Sequence, residues 1–187
     1  TIFSGDDILY TLASRNKITG KNQSDTVVGT IMSNEGVVEA LSMLGIRFLR
    51  ADVGDKFISR ELVKNDLNLG AEPSGHIIQR EFSESGDANI ALIQTLSALQ
   101  ELDTTISEIK NKIEYKPLGL KNFTVSDVEI VESENFIESI EKLKKNHPEA
   151  RISVRKSGTE RKIRAMVEAE TEKEKNSILK KIESLIT

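Results

Sequence analysis

What most constrains the fold of this chain is the alternation, over residues 1–105, of apolar β-branched runs with segments that repeat apolar residues at helical spacing. The run T-V-V-G-T-I-M at 26–32 is apolar on both faces, the pattern of a parallel strand covered on both sides. It ends at Ser33-Asn34, either of which can cap a helix, and Val37, Val38, Leu41 and Leu44 then recur until Gly45 closes the segment. Residues 46–51 read as a second strand. A polar loop, Asp52-Val53-Gly54-Asp55-Lys56, leads into a short helix with Phe57, Ile58, Glu61 and Leu62, and 74–80 supplies a further strand. Ser85-Gly86-Asp87 opens a long helix whose Ile90, Ala91, Ile93, Leu96 and Leu99 are expected to cover the sheet. This alternation predicts a three-layer α/β domain.

The pattern changes after about Leu102, where a polar helical connector at 104–113 gives way to Pro117 and Gly119. The expected organisation is an α/β domain at 1–105 followed by a small α+β domain at 106–187, an antiparallel sheet with helices. Within the latter, irregular strands around 124–131 precede a helix at 133–146, two antiparallel strands at 151–155 and 162–169, and a last helix. Thr171 and Glu174 form an S/T-x-x-E capping box for that helix, and Ile178, Leu179, Ile182, Leu185 and Ile186 are its apolar stripe. Residues 1–10 are expected to be the tail of a preceding domain, with Ser4-Gly5-Asp6-Asp7 as a helix cap rather than a metal site. A first residue of Thr1 instead of Met accords with a chain cut from something longer.

Composition excludes several functions. With no cysteine there is neither a disulfide nor a thiolate zinc site, and two histidines are too few for an all-His centre. A net charge of −4 disfavours a nucleic-acid partner. No apolar stretch of about 18 residues and no basic, then apolar, N-terminus is present, so no membrane partner is expected and the setting is read as cytoplasmic.

Two stretches carry chemistry. Arg155-Lys156-Ser157-Gly158-Thr159-Glu160-Arg161 lies between two strands, with Arg164 shortly after. An arginine can give two parallel hydrogen bonds to an anionic oxygen, Ser157 and Thr159 offer hydroxyls, and Gly158 lets backbone N–H groups turn to the same point. On composition alone the segment reads equally as a hairpin connection with solvated basic neighbours. Gly70-Ala71-Glu72-Pro73-Ser74-Gly75-His76 puts a carboxylate, a hydroxyl and an imidazole within five residues at the edge of the α/β domain, a set suited to sugar hydroxyls. It also reads as a Gly/Pro turn with a partly buried histidine. Lys56, at a helix start, is on local grounds simply solvated.

Taken together, Val53-Gly54-Asp55-Lys56, 70–76, Ser85-Gly86-Asp87 and 155–160 resemble the α-D-phosphohexomutase superfamily in its bacterial phosphoglucosamine mutase branch. The resemblance covers nearly the whole chain and implies the third and fourth of four domains around one cleft, with a G-E-x-S-G-H sugar loop and an R-x-S-G-T-E-P phosphate loop. Ala71 stands where a second glycine is common, and Arg161 replaces the proline. It further implies that Glu72 and Ser74 bind sugar hydroxyls, that Lys56 and His76 lie near the reacting end, and that Arg155, Ser157, Gly158 and Thr159, with Arg164, hold the phosphate. The implied reaction interconverts glucosamine 6-phosphate and glucosamine 1-phosphate through a phosphoserine and a 1,6-bisphosphate, toward peptidoglycan precursors. The serine and the Mg2+ of the full-length enzyme belong to the missing N-terminal domains, so the resemblance implies no metal bound by this chain and no substantial turnover by it alone. Phosphomannomutase or phosphoglucomutase specificity, and a non-catalytic phosphosugar-binding module, are the competing readings.

Overall fold

A computed structural model of the chain describes residues 2–20, 24–157 and 160–186. The chain divides into two units, Thr1–Tyr115 and Lys116–Thr187, each around its own core. The first contains α1 (Gly5–Thr19), β1 (Thr26–Thr30), α2 (Glu35–Met43), β2 (Arg47–Ala51), α3 (Asp55–Lys64), β3 (Leu69–Ala71), β4 (Ile77–Gln79), α4 (Ala88–Glu101) and α5 (Ile106–Asn111). Its sheet runs β2-β1-β3-β4, with β1 parallel to both neighbours and β4 antiparallel to β3. Because successive strand residues face opposite ways, Val27 enters the core shared with Leu9, Leu41 and Ala98, while Val28 enters the one shared with Ile58 and Leu62. Both faces are therefore covered, as the apolar run at 26–32 predicted. Strand order reverses at β1, and open α/β sheets bind ligands at the carboxyl ends of strands at such a point.

The opening residues are not the tail of another domain. Ser4 and Asp7 form a reciprocal capping box for α1, and Leu9 and Leu12 are fully buried in the first unit's core. No amphipathic period announces this, because α1 is buried on nearly every side. Its polar Thr11 and Ser14 are satisfied by bonds to the carbonyls of Asp7 (2.8 Å) and Tyr10 (2.7 Å) one turn earlier. The first unit also runs past residue 105 to Tyr115, since Ile109 and Ile113 belong to its core. In α4 the buried residues are Ala91, Thr95 and Ala98, whereas Ile93 and Leu96, expected inside, are 64% and 56% exposed. Helix α1 packs along α4, and a small-residue face is what allows two helices to approach closely.

The second unit contains β5 (Leu118–Thr124), a 3-10 turn (Glu129–Glu132), α6 (Glu134–Asn146), β6 (Arg151–Lys156), β7 (Lys162–Glu168) and α7 (Glu172–Ile186). The antiparallel sheet runs β5-β7-β6. One face joins Phe123, Ile152, Ile163, Ala165 and Val167 to Phe136, Ile140, Ile178 and Ile182 from α6 and α7. The irregular strands expected at 124–131 are instead the end of β5 and the 3-10 turn. The capping box of α7 is half formed: Glu174 N donates to Thr171 Oγ1 at 3.2 Å, but the Glu174 carboxylate sits 2.8 Å from His147 Nδ1.

Candidate functional site

Of the segment expected as a strand at 74–80, residues 77–79 form one, β4, which returns along β3 in a hairpin from Leu69↔Gln79 to Ala71↔Ile77. Its turn is closed by its own backbone, Glu72 N donating to His76 O at 2.9 Å and Gly75 N to Glu72 O at 3.0 Å. Gly75, at φ 104°, occupies a region that side chains avoid. From α1, Gly5 N donates to Pro73 O at 3.2 Å, and a Cβ on Gly5 would stand 1.8 Å from Glu72 O. Only glycine allows α1 to begin so close to this loop.

Glu72 points inward and is 8% exposed. Its Oε1 accepts from Gly54 N at 2.9 Å and its Oε2 lies 3.3 Å from His76 Nδ1, so Glu72 joins the V-G-D-K stretch to the hairpin loop. What faces outward is Ser74, Gly75 and His76, which with Ile77, Gly86, Asp87 and Ala88 line a pocket of about 290 Å³. Asp87 caps α4 by accepting from Asn89 N and Ile90 N, so the helix start that borders the pocket is fixed by its own side chain. Lys56 lies in the first turn of α3, with Nζ 4.9 Å from the Phe57 ring centroid.

Beneath this loop, Asp7 is fully buried and accepts from Ser4 N (2.6 Å), Ser4 Oγ (2.7 Å), Lys110 Nζ (3.0 Å) and Tyr115 Oη (2.8 Å). Burial opposes its ionisation, but these bonds outweigh it and hold the carboxyl below the usual carboxylate range. Burial and the bond to Asp7 push the Tyr115 hydroxyl well above the ordinary tyrosine range. Asp6 is shifted the other way by burial, although its Oδ2 accepts from Asn34 N at 3.0 Å. The two carboxylates thus tie α1 to α2 and α5. Among the described residues no group of three or more His, Asp and Glu could hold a metal ion.

In the second unit the Arg155 stretch leaves β6 and returns as β7. Arg155 is exposed and directly opposite Arg164. Lys156 points to the helical side, its Nζ 2.6 Å from Glu132 and 2.9 Å from Glu129, and these two carboxylates raise its pKa. Ser157 N donates to Lys162 O at 2.8 Å, while Ser157 Oγ is buried with no hydrogen-bond partner among the described residues. Glu160 lies 2.8 Å from Lys162 Nζ and 3.5 Å from Arg164 Nη2, and Lys162 foremost holds its carboxyl below the usual range. Gly158 and Thr159 lie outside the described residues. Two guanidinium groups and an unsatisfied buried hydroxyl make a set that a phosphomonoester dianion would complete.

The family model for phosphoglucomutase/phosphomannomutase alpha/beta/alpha domain III matches residues 4–115, and that for the C-terminal domain of the same enzymes matches residues 119–185. The chain belongs to this phosphohexomutase family. Its first unit is the family's third domain and its second the C-terminal one, which accounts for α1 and α5 both packing on the first core. Among relatives, the phosphoglucosamine mutase of Geobacillus kaustophilus is 34% identical over 187 residues, covering 99% of this chain and 42% of the relative. That of Thermodesulfovibrio yellowstonii is 37% identical over 189 residues, covering 98% and 42%. The chain therefore spans about two fifths of the length of these relatives. An N-acetylglucosamine-phosphate mutase of the alpha-D-phosphohexomutase superfamily, in its substrate complex, superposes with a TM-score of 0.83 at 21% identity, over 100% of this chain and 44% of that one. For the Aspergillus fumigatus N-acetylphosphoglucosamine mutase in complex with GlcNAc-6P and magnesium the TM-score is 0.82 at 17% identity, over 100% and 47%. These two likenesses show the fold. Among the described residues no helix is long and apolar enough to cross a membrane.

Proposed function

We propose that this chain is the sugar- and phosphate-recognition part of a phosphoglucosamine mutase. Ser74 and His76 would meet sugar hydroxyls from the outer side of the hairpin loop, with Glu72 holding that loop to Gly54 and Lys56 near the reacting end. Arg155, Ser157 and Arg164, with Gly158 and Thr159, would hold the phosphate that is not being transferred. The phosphoserine, and the magnesium that supports transfer, would come from the part of the relatives' length that this chain does not span. In the whole enzyme the phosphoryl group would pass from that serine to the 1-hydroxyl of glucosamine 6-phosphate. The resulting 1,6-bisphosphate would turn round and return its 6-phosphoryl group to the serine, leaving glucosamine 1-phosphate for cell-wall precursor synthesis. A cytoplasmic setting is part of the proposal, in keeping with a sequence that has no cysteine.

The observation that carries the reading is Ser157 Oγ beside Arg155, buried and without a hydrogen-bond partner among the described residues, an incomplete set of the kind an anionic ligand satisfies. The choice of amino sugar rests on the names of the relatives. The test is to assay the complete protein that contains this chain on glucosamine, glucose and mannose phosphates. The highest kcat/KM is expected for the glucosamine phosphates, and a preference for mannose or glucose phosphates would replace this reading with a phosphomannomutase or phosphoglucomutase. Phosphosugar binding by a complete protein that interconverts none of the three would favour a non-catalytic binding module.

A further inference from the structure

At the amino ends of its parallel strands the first unit has another cavity, of about 390 Å³. Thr26 is the first residue of β1 and Arg47 the first of β2, and the two are partners across the strands, so their side chains leave the same face of the sheet. Two positions further along that face, Val28 packs with Ile58 and Leu62. Leu49 on β2, Leu67 and Asn65, the C-cap of α3, share the lining. The loop at 72–76 and Gly54 follow the opposite, carboxyl ends of the strands, and the five residues of β2 put the two places roughly 15 Å apart. Two groups of this lining are uncommitted. Arg47 is exposed, and its guanidinium has no ion pair or hydrogen bond among the described residues. Thr26 Oγ1 is buried and likewise has no hydrogen-bond partner among them, which is uncommon for a buried hydroxyl. The charged residues that flank the lining in sequence are already paired: Asp25 with Lys17 at 2.8 Å, Lys64 with Glu61 at 3.9 Å and Asp66 with Arg80 at 3.6 Å. The charge that the cavity offers a ligand is therefore that of Arg47.

We propose that this cavity is a second ligand site, which takes a small organic monocarboxylate with an apolar body. Arg47 gives the carboxylate two parallel N–H donors, and Thr26, by a change of χ1 rotamer, donates its hydroxyl to one of the same oxygens. One cation answers one negative charge, which selects a carboxylate over a phosphomonoester dianion. Leu49, Leu67 and Phe48 meet the apolar body, in the usual division of a ligand cavity into apolar walls and a few placed polar groups. The inference does not depend on the phosphosugar reading, because no residue of this lining belongs to the loop at 72–76 or to the connection at 155–162.

Charge and apolar body can be varied separately in the ligand. Benzoate, the neutral benzamide and acetate are titrated into the 187-residue chain and followed by proton–nitrogen correlation spectra, with unfolding midpoints as a control on folding. Benzoate is expected to saturate with a dissociation constant on the order of 1 mM, moving the amide signals of Thr26, Arg47 and Asn65 and leaving those of 72–76 in place. Benzamide, which keeps the ring without the charge, and acetate, which keeps the charge without the ring, should each bind about tenfold more weakly. Arg47→Gln is expected to weaken benzoate binding by about tenfold or more at an unchanged unfolding midpoint, because this guanidinium holds no partner in the fold. Thr26→Val should weaken it about threefold and leave the midpoint unchanged or raised, since it removes an unpaired buried hydroxyl. Benzoate that does not saturate by about 20 mM, or that binds no tighter than benzamide, overturns the site whatever the variants do. An Arg47→Gln chain that binds benzoate within about twofold of the parent overturns it as well. Each of these results leaves the phosphosugar reading standing.

Discussion

The loop at 72–76 and the connection at 155–162 are the two proposed recognition elements, yet opposite means hold them in place. The first is built from backbone: a glycine at φ 104°, two hydrogen bonds across the turn, and a third from Gly5, with the single carboxylate turned inward. The second is built from exposed charge, where Arg155 faces Arg164 and Glu160 reaches both Lys162 and Arg164. A shape fixed in advance suits discrimination among hydroxyl patterns, while exposed basic side chains suit attraction of a dianion. Changes in packing should therefore disturb the first loop and changes in ionic strength the second.

The severest challenge to this contrast is Gly5→Ala. The added methyl must displace Glu72 O, and the expected loss is about 2–3 kcal/mol of stability, as for overpacking a rigid site. Urea unfolding with hydrogen exchange at β3 and β4 measures it, and a loss under about 0.5 kcal/mol would mean that the hairpin loop is not braced by α1. A comparable loss, again about 2–3 kcal/mol, is expected for Asp7→Ala, which leaves Lys110 and Tyr115 without their shared acceptor. The sign with pH follows from the depressed carboxyl. Its stabilisation is complete above the unfolded value near 3.9 and is lost as pH falls through the lower folded value. Thermal midpoints of the parent should drop more steeply below about pH 4 than those of Asp7→Asn.

The second unit should respond to smaller and different perturbations. Raising salt from about 0.05 M to about 0.5 M is expected to weaken phosphate binding several-fold while leaving the unfolding midpoint of the first unit nearly unchanged. Lys156→Ala should change phosphate affinity by less than about twofold, because that ammonium is already committed to Glu129 and Glu132 on the helical side of the sheet. A large effect of Lys156→Ala would place the cation surplus elsewhere than on the Arg155 face.

Much of the architecture was legible because strands and helices keep their periods. The run at 26–32, the stripe Ile178–Ile182–Ile186 and the antiparallel pair at 151–156 and 162–168 all repeat in step with their elements. The helix after Ser4-Gly5-Asp6-Asp7 was expected, but not its place in the first unit's core, because a helix buried on nearly every side has no polar face to set its phase. The apolar side of α4 was misassigned, because its core contacts are made by Ala91, Thr95 and Ala98 rather than by its larger residues. At the site the sequence brought out Glu72 and Arg155 as chemistry but not their opposite exposure.

Whether this chain holds a phosphosugar through its cationic connection is tested most directly by titration calorimetry of the 187-residue chain with glucosamine 6-phosphate, alongside Arg155→Ala. Saturable binding by the parent and a loss of about tenfold or more in the variant are predicted, the size expected when a charge-assisted pair of hydrogen bonds is removed. No binding by the parent, or equal affinity in the two chains, would contradict it.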